Sequence, residues 1–160
     1  MQQVQVLGRV SGHAAEGDRL AQEMSGRIAA VTGKLADVEN GPRVYHELDN
    51  TFFTVAPNSF VGDFYNLLKA RNIAEGAPTA YPQLSQEEIL DRDPEVIILA
   101  DADAGESPQT VKARPGWGAI SAVKNDRIYV IDPDIVSRPS PRLVEGLEQL
   151  AGVLYPEKFP

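Results

Sequence analysis

Apolar residues recur at spacings of four and three from Leu20 through Met24, Ile28, Val31 and Leu35 to Val38, a single stripe that predicts one long helix over Ala14 to Glu39. At ~1.5 Å per residue such a helix measures about 39 Å, long enough to act as a strut rather than as cover for one sheet face. Gly17, Gly26 and Gly33 weaken its helical propensity, and "ENGPR" ends it, with Gly41 as a C-terminal cap and Pro42 barring continuation. Beyond that break the periodicity changes. "RVYHELD" (Arg43 to Asp49) and "RIYVID" (Arg127 to Asp132) read as strands, and "EVIILA" as a strand covered on both faces. "SFVGDFYNLLKA" (Ser59 to Ala70) reads as a helix burying Phe60, Phe64, Leu67 and Leu68. A short helix starts at Ser85, and the last helix follows Ser140 as N-cap and Pro141, with Leu143, Leu147, Leu150 and Leu154 inward. "DADAGESP" (Asp101 to Pro108) reads as a loop, and "RPGWGAISAVKND" mixes turn signals with a short helical stretch. Strands alternating with helices imply an α/β fold with a mostly parallel, doubly wound sheet in three layers, preceded by the long helix.

The start of the short helix is specified three ways. With Ser85 as N-cap, Glu88 is the third helical residue and completes a capping box, and Leu84 and Ile89 stand at the positions of a hydrophobic staple. Glu87 has no capping task. Its plain reading is a favourable interaction with the helix dipole.

Composition narrows the function classes. The 160 residues carry 15 Lys and Arg against 23 Asp and Glu, a formal charge of −8, which argues against a nucleic-acid-binding face. With 42% hydrophobic residues the chain supports one globular core, and with no cysteine it has no disulfide, thiolate metal site or Cys nucleophile. No phosphate-binding Gly-rich loop, G-x-S-x-G or H-E-x-x-H is present, so no catalytic residue is assigned. His46 falls within a strand and His13 near the start of the strut, so a shared metal site would need a coincidence of packing, and both read as structural or surface residues. Asp101, Asp103 and Glu106 lack calcium-loop spacing, so no metal ligand is assigned either.

In a parallel α/β sheet ligands bind beyond the carboxyl ends of the strands. That rule selects Asn50, Thr51, Phe52, Phe53 and Thr54 after the first strand and Asp134 and Arg138 after the last, while Tyr81 sits in the loop before the short helix. Two aromatics, a carboxylate and a guanidinium on one rim suit a large, partly apolar ligand with polar edges. Core packing explains the aromatics as well, and a solvated surface pair explains Asp134 and Arg138 as well. Trp117 in "RPGWGAI" reads as a packing anchor.

From Pro42 onward, "PRVYHELD", "YPQLSQEEIL" followed by "DPEVIIL", "RPGWGAISAVKNDRIYVID" and "RPSPRLVEGLEQLAGVLYPE" resemble the carboxyl-terminal lobe of class III substrate-binding proteins of ABC importers for cobalamin, ferric siderophores and haem. The resemblance implies two α/β lobes joined by one rigid helix, with residues 1–41 as lead-in and interlobe helix and residues 42–160 as the carboxyl-terminal lobe. It implies that Glu87 docks into an arginine-lined pocket of the permease and that Phe53 and Tyr81 contact the ligand. It implies polar cleft positions for Asp134 and Arg138. Tyr81 stands where a cobalamin-binding member carries Trp, so aromatic character is kept. The expected partners are an ABC importer permease, a metal-chelate ligand and an amino-terminal lobe that lies outside this sequence. The resemblance also implies a non-enzymatic carrier without a resident cofactor, located in the periplasm or outside the cell, with or without a lipid anchor. An uncovered strut and cleft wall imply self-association of this half. Two rival readings stay open: a metal-dependent enzyme domain using the Asp101 to Glu106 loop, and a protein-interaction module without a small ligand.

Overall fold

Four short strands, β1 (Arg43–Glu47), β2 (Arg71–Asn72), β3 (Val96–Leu99) and β4 (Ile128–Val130), pair in the order β2-β1-β3-β4, every pair parallel, in a computed structural model that describes residues 1–138 and 140–160. The register sets Tyr45 opposite Ile97 and Glu47 opposite Leu99. All four residues of β3 are fully buried, so both faces of the sheet need a helical cover.

Alternation along β1 divides the core. Val44, Val96 and Ile98 face a layer made of α2 (Ala14–Lys34), α3 (Gly62–Leu67), α7 (Pro133–Ser137) and α8 (Leu143–Leu154), which contributes Val31, Tyr65, Val136, Leu147 and Leu150. Tyr45, Ile97 and Leu99 face α4 (Gln86–Arg92), α5 (Pro108–Lys112), α6 (Ser121–Lys124) and the buried Trp117. This is the three-layer α/β arrangement that the strand and helix alternation predicts.

Several boundaries differ from expectation. The strut helix stops at Lys34 rather than Glu39, so it measures about 31 Å. Leu35 is fully buried, tight turns from Leu35 to Thr32 and from Ala36 to Gly33 close the helix, and the Lys69 ammonium donates to the Ala36 and Val38 carbonyls. A further helix, α1 (Gln2–Val10), folds back on α2 where only a lead-in is expected. Its crossing explains Gly17: a Cβ on Gly8 would lie 3.0 Å from the Gly17 Cα, so the two glycines permit the backbones to approach.

Helix α3 begins at Gly62 instead of Ser59. Phe60 therefore stands outside it, exposed and edge-on to Phe64, and Leu67 is exposed too, while Phe64 and Leu68 are buried as expected. The last helix begins at Leu143: Ser140 Oγ accepts the Arg142 N–H at 3.3 Å, but the regular ladder starts later. Two capped helices were unforeseen, α7 on Asp132 and Pro133 and α5 on Ser107 and Pro108.

Candidate functional site

Because the four strands are parallel, their carboxyl ends share one edge. The connection leaving β1 runs through α3 on one face and that leaving β3 through α5 on the other. The carboxyl ends of β1 and β3 therefore flank the point where the winding reverses, the usual position of a ligand crevice in such a sheet.

A tight turn follows β1. The Leu48 N–H donates to the Phe53 carbonyl at 2.9 Å, and Asp49 accepts from the Thr51 N–H at 2.8 Å. The outgoing chain pairs with the segment that carries Tyr81: Thr54 N–H donates to Pro82 O at 2.9 Å, Ala56 N–H to Ala80 O at 2.9 Å and Leu84 N–H to Phe52 O at 3.1 Å. Phe53 and Tyr81 are thus brought together on paired backbone, and at 38% and 49% exposure neither belongs to the core. Their accessible rings can offer two apolar faces to a ligand.

Beyond the carboxyl end of β4, Asp134 lies in α7 and Arg138 directly follows that helix. The Arg138 Nε meets Asp134 Oδ1 at 2.6 Å in an exposed pair, so its contribution to stability is small and both groups stay accessible. No hydrogen bond or ion pair among the described residues joins this pair to Phe53 or Tyr81. A cavity of about 500 Å³ lies elsewhere, against α1 and α2, lined by Leu7, Leu20, Met24, Phe60 and Leu143.

Below the rim lies a charged cluster that sequence reasoning missed. Glu47, wholly buried at the end of β1, receives two 2.6 Å hydrogen bonds from Arg114, which also reaches Glu106 at 2.8 Å. Burial works against the Arg114 charge, but the bonds it donates to Glu47 and the negative charges of Glu47 and Glu106 hold its guanidinium more strongly protonated than usual. Asp101 is 6% exposed and neither of its oxygens has a hydrogen-bond partner among the described residues. Burial first, then the neighbouring Glu47 and Glu106 charges, push its carboxyl up to about 6. The period-2 alternation of β1 and β3, extended by two residues, was the available signal: Glu47 and Asp101 share the face of Tyr45, Ile97 and Leu99.

Asp103, by contrast, is exposed, and no group of three or more His, Asp or Glu side chains among the described residues is arranged to hold a metal. His46 is buried, with Nδ1 2.6 Å from the Tyr65 hydroxyl, and burial lowers its pKa to about 4, which makes it a neutral core residue. His13 is exposed at the turn between α1 and α2. Trp117 is fully buried, as a packing anchor should be.

Glu87 occupies the first turn of α4. The Ser85 hydroxyl accepts from the Glu88 N–H at 3.1 Å and the Glu88 carboxylate accepts from the Ser85 N–H at 2.8 Å, which is the expected capping box. Glu87 is left exposed.

The sequence profile described as periplasmic binding protein matches residues 1–135. The chain belongs to the periplasmic binding protein family. The matched span includes Phe53, Tyr81, Glu87 and Asp134 and stops short of Arg138. An uncharacterised ABC transporter substrate-binding lipoprotein of Bacillus subtilis is 31% identical over 160 residues, covering 98% of this chain and 50% of that protein. A cobalamin-binding protein of Halobacterium salinarum is 30% identical, covering 93% of this chain and 42% of its own length. The crystal structure of the periplasmic vitamin B12 binding protein of Vibrio cholerae superposes with a TM-score of 0.81 at 23% identity, over 98% of this chain and 60% of that one, a likeness of fold. This periplasmic binding protein chain spans about half the length of the curated relatives it matches.

Proposed function

We propose that the chain supplies the carboxyl-terminal half of the substrate-binding component of an ABC importer, and that the cargo is a metal chelate such as a corrinoid, a ferric siderophore or haem. The observation that carries this reading is the pair of exposed aromatics, Phe53 and Tyr81, on paired backbone beside the winding reversal of the sheet. They would pack against the apolar faces of a macrocycle, while Asp134 and Arg138 would meet its polar substituents. The names of the relatives, an ABC substrate-binding lipoprotein and a cobalamin-binding protein, support the same reading.

On this reading Glu87 meets an arginine pocket of the permease, and the protein works outside the cytoplasmic membrane as a carrier rather than an enzyme. Val6, Leu7 and Val10 of α1 are 52%, 68% and 83% exposed, an apolar surface that we assign to the amino-terminal lobe and, in its absence, to self-association. The metal-enzyme alternative finds no donor set among the described residues, where Asp101 is buried, Asp103 is in solvent and no three His, Asp or Glu side chains converge.

A thermal-shift series with cyanocobalamin, hemin and ferrichrome tests the proposal on this chain and on the longest polypeptide its gene encodes. A ligand at about a hundred times its Kd should add ~2.7 kcal/mol of stability. If the longest polypeptide responds to none of them, the chelate reading fails.

A further inference from the structure

We infer that Arg114 is a positioning residue for the rim: it holds the turn from Glu47 to Thr54 in the conformation that sends Phe52 inward and presents Phe53 outward. One side chain fastens three loops. Arg114 follows α5, forks onto Glu47 at the end of β1 through two 2.6 Å bonds, and reaches Glu106 after β3 at 2.8 Å. Its guanidinium carbon also lies 4.5 Å from the Trp117 ring centroid and 5.5 Å from that of Phe52, and the Phe52 and Trp117 rings are 5.8 Å apart at 30°.

Phe52 pays a conformational cost to be there. Its φ of 69° lies in the left-handed region, which bulky side chains adopt only where surrounding contacts impose it. Those contacts are the Arg114 and Trp117 faces. The following residue, Phe53, leaves the turn on the opposite side and is exposed, while the Leu48 N–H holds its carbonyl at 2.9 Å. The planar fork of arginine serves this arrangement and lysine cannot, because it must satisfy two carboxylates along its edges while its faces meet aromatic rings. The consequence for binding, which rests on the ligand reading given above, is that Phe53 is ordered before the chelate arrives, so ligand binding need not supply that ordering.

Backbone amide exchange in the 160-residue chain without any chelate tests the assignment, using Arg114→Lys, which keeps the charge beside Glu47, and Phe52→Leu, which leaves the ion pairs intact. Both variants should speed exchange at the Leu48, Thr54 and Leu84 amides at least tenfold, with Ile73 and Ile97 in the sheet unchanged. In Arg114→Lys the emission of Trp117, the single tryptophan, should shift as the guanidinium leaves its face. Retention of protection at the turn in either variant, or acceleration spread equally to Ile73 and Ile97, overturns the assignment. Because no chelate is present, failure here leaves the ligand reading intact, and a chain that binds no chelate leaves this assignment intact.

Discussion

Glu87 and Glu88 are chain neighbours in the first turn of α4, yet only Glu88 is engaged: its carboxylate accepts the Ser85 N–H at 2.8 Å, while Glu87 makes no hydrogen bond or ion pair among the described residues. The Ser85 N–H also holds the Glu88 carboxyl below the usual carboxylate range. The two positions therefore separate stability from the proposed docking role. Ser85→Ala removes the cap and should cost ~1 kcal/mol, about 2–4 °C in Tm for a chain of this size. Glu87→Arg leaves the capping box intact and should cost about 1 kcal/mol or less, through the helix dipole, but on the proposed docking role it should abolish chelate uptake in cells expressing the complete importer. Uptake that survives this reversal rules out the docking role.

Phe53→Ala and Tyr81→Ala address the rim. Both rings are exposed, so each variant should melt within about 0.5 kcal/mol of the parent chain. Loss of one aromatic contact with a macrocycle removes ~0.5–1.5 kcal/mol, a weakening of roughly 2- to 12-fold in Kd, measured by titration of the complete protein with the chelate identified by thermal shift. Unchanged affinity in both variants would move the ligand away from this edge.

The layers, the parallel sheet and the α4 cap were legible in the sequence because each rests on a local signal: the apolar run of β3, the stripe of α2 and the Ser85–Glu88 box. The departures come from tertiary contacts that no window contains. Lys34 ends α2 because Leu35 is drawn into the core and Lys69, far along the chain, takes the Ala36 and Val38 carbonyls. Phe60 falls outside α3 because Gly62 sits against the Ala56 and Pro57 backbone, which fixes where the helix can begin. The strand-end rule narrowed the rim to a few residues, and the family resemblance singled out Phe53 and Tyr81 among them, whereas strand alternation could point only to Glu47 and Asp101, because the fork from Arg114 to Glu47 spans 67 residues.

Asp101 makes stability depend on pH in the less common direction. Its carboxyl is pushed up to about 6 in the folded chain, chiefly by burial, against an ordinary value near 3.8. The folded state thus binds the proton more tightly than the unfolded state, and this contribution to stability is full below pH ~4 and lost as pH rises through ~6. Asp101→Asn, neutral at every pH, should stabilise the chain by up to about 3 kcal/mol at pH 7 and by much less at pH 4. Denaturant melts at the two pH values measure the difference. An equal effect at both would mean that the carboxylate is better solvated than its unpartnered oxygens indicate.

Two glycines of α8 provide a matched pair for the helix beneath the polar rim. A Cβ on Gly146 would lie 2.5 Å from the Ile135 carbonyl oxygen and 2.9 Å from Val136 Cγ1, so Gly146→Ala must displace α7, whose backbone cannot yield by rotating a side chain. Gly152 has nothing within 4 Å, so Gly152→Ala meets open space and gains only helical propensity. The first should cost ~1–3 kcal/mol through overpacking, and the second should stabilise by ~0.5–1 kcal/mol. Because α7 carries Asp134 and Arg138 directly follows it, Gly146→Ala should also shift their amide resonances, while Gly152→Ala leaves them in place. Equal melts and unmoved α7 resonances in the two variants would show that α7 does not depend on this close approach for its position.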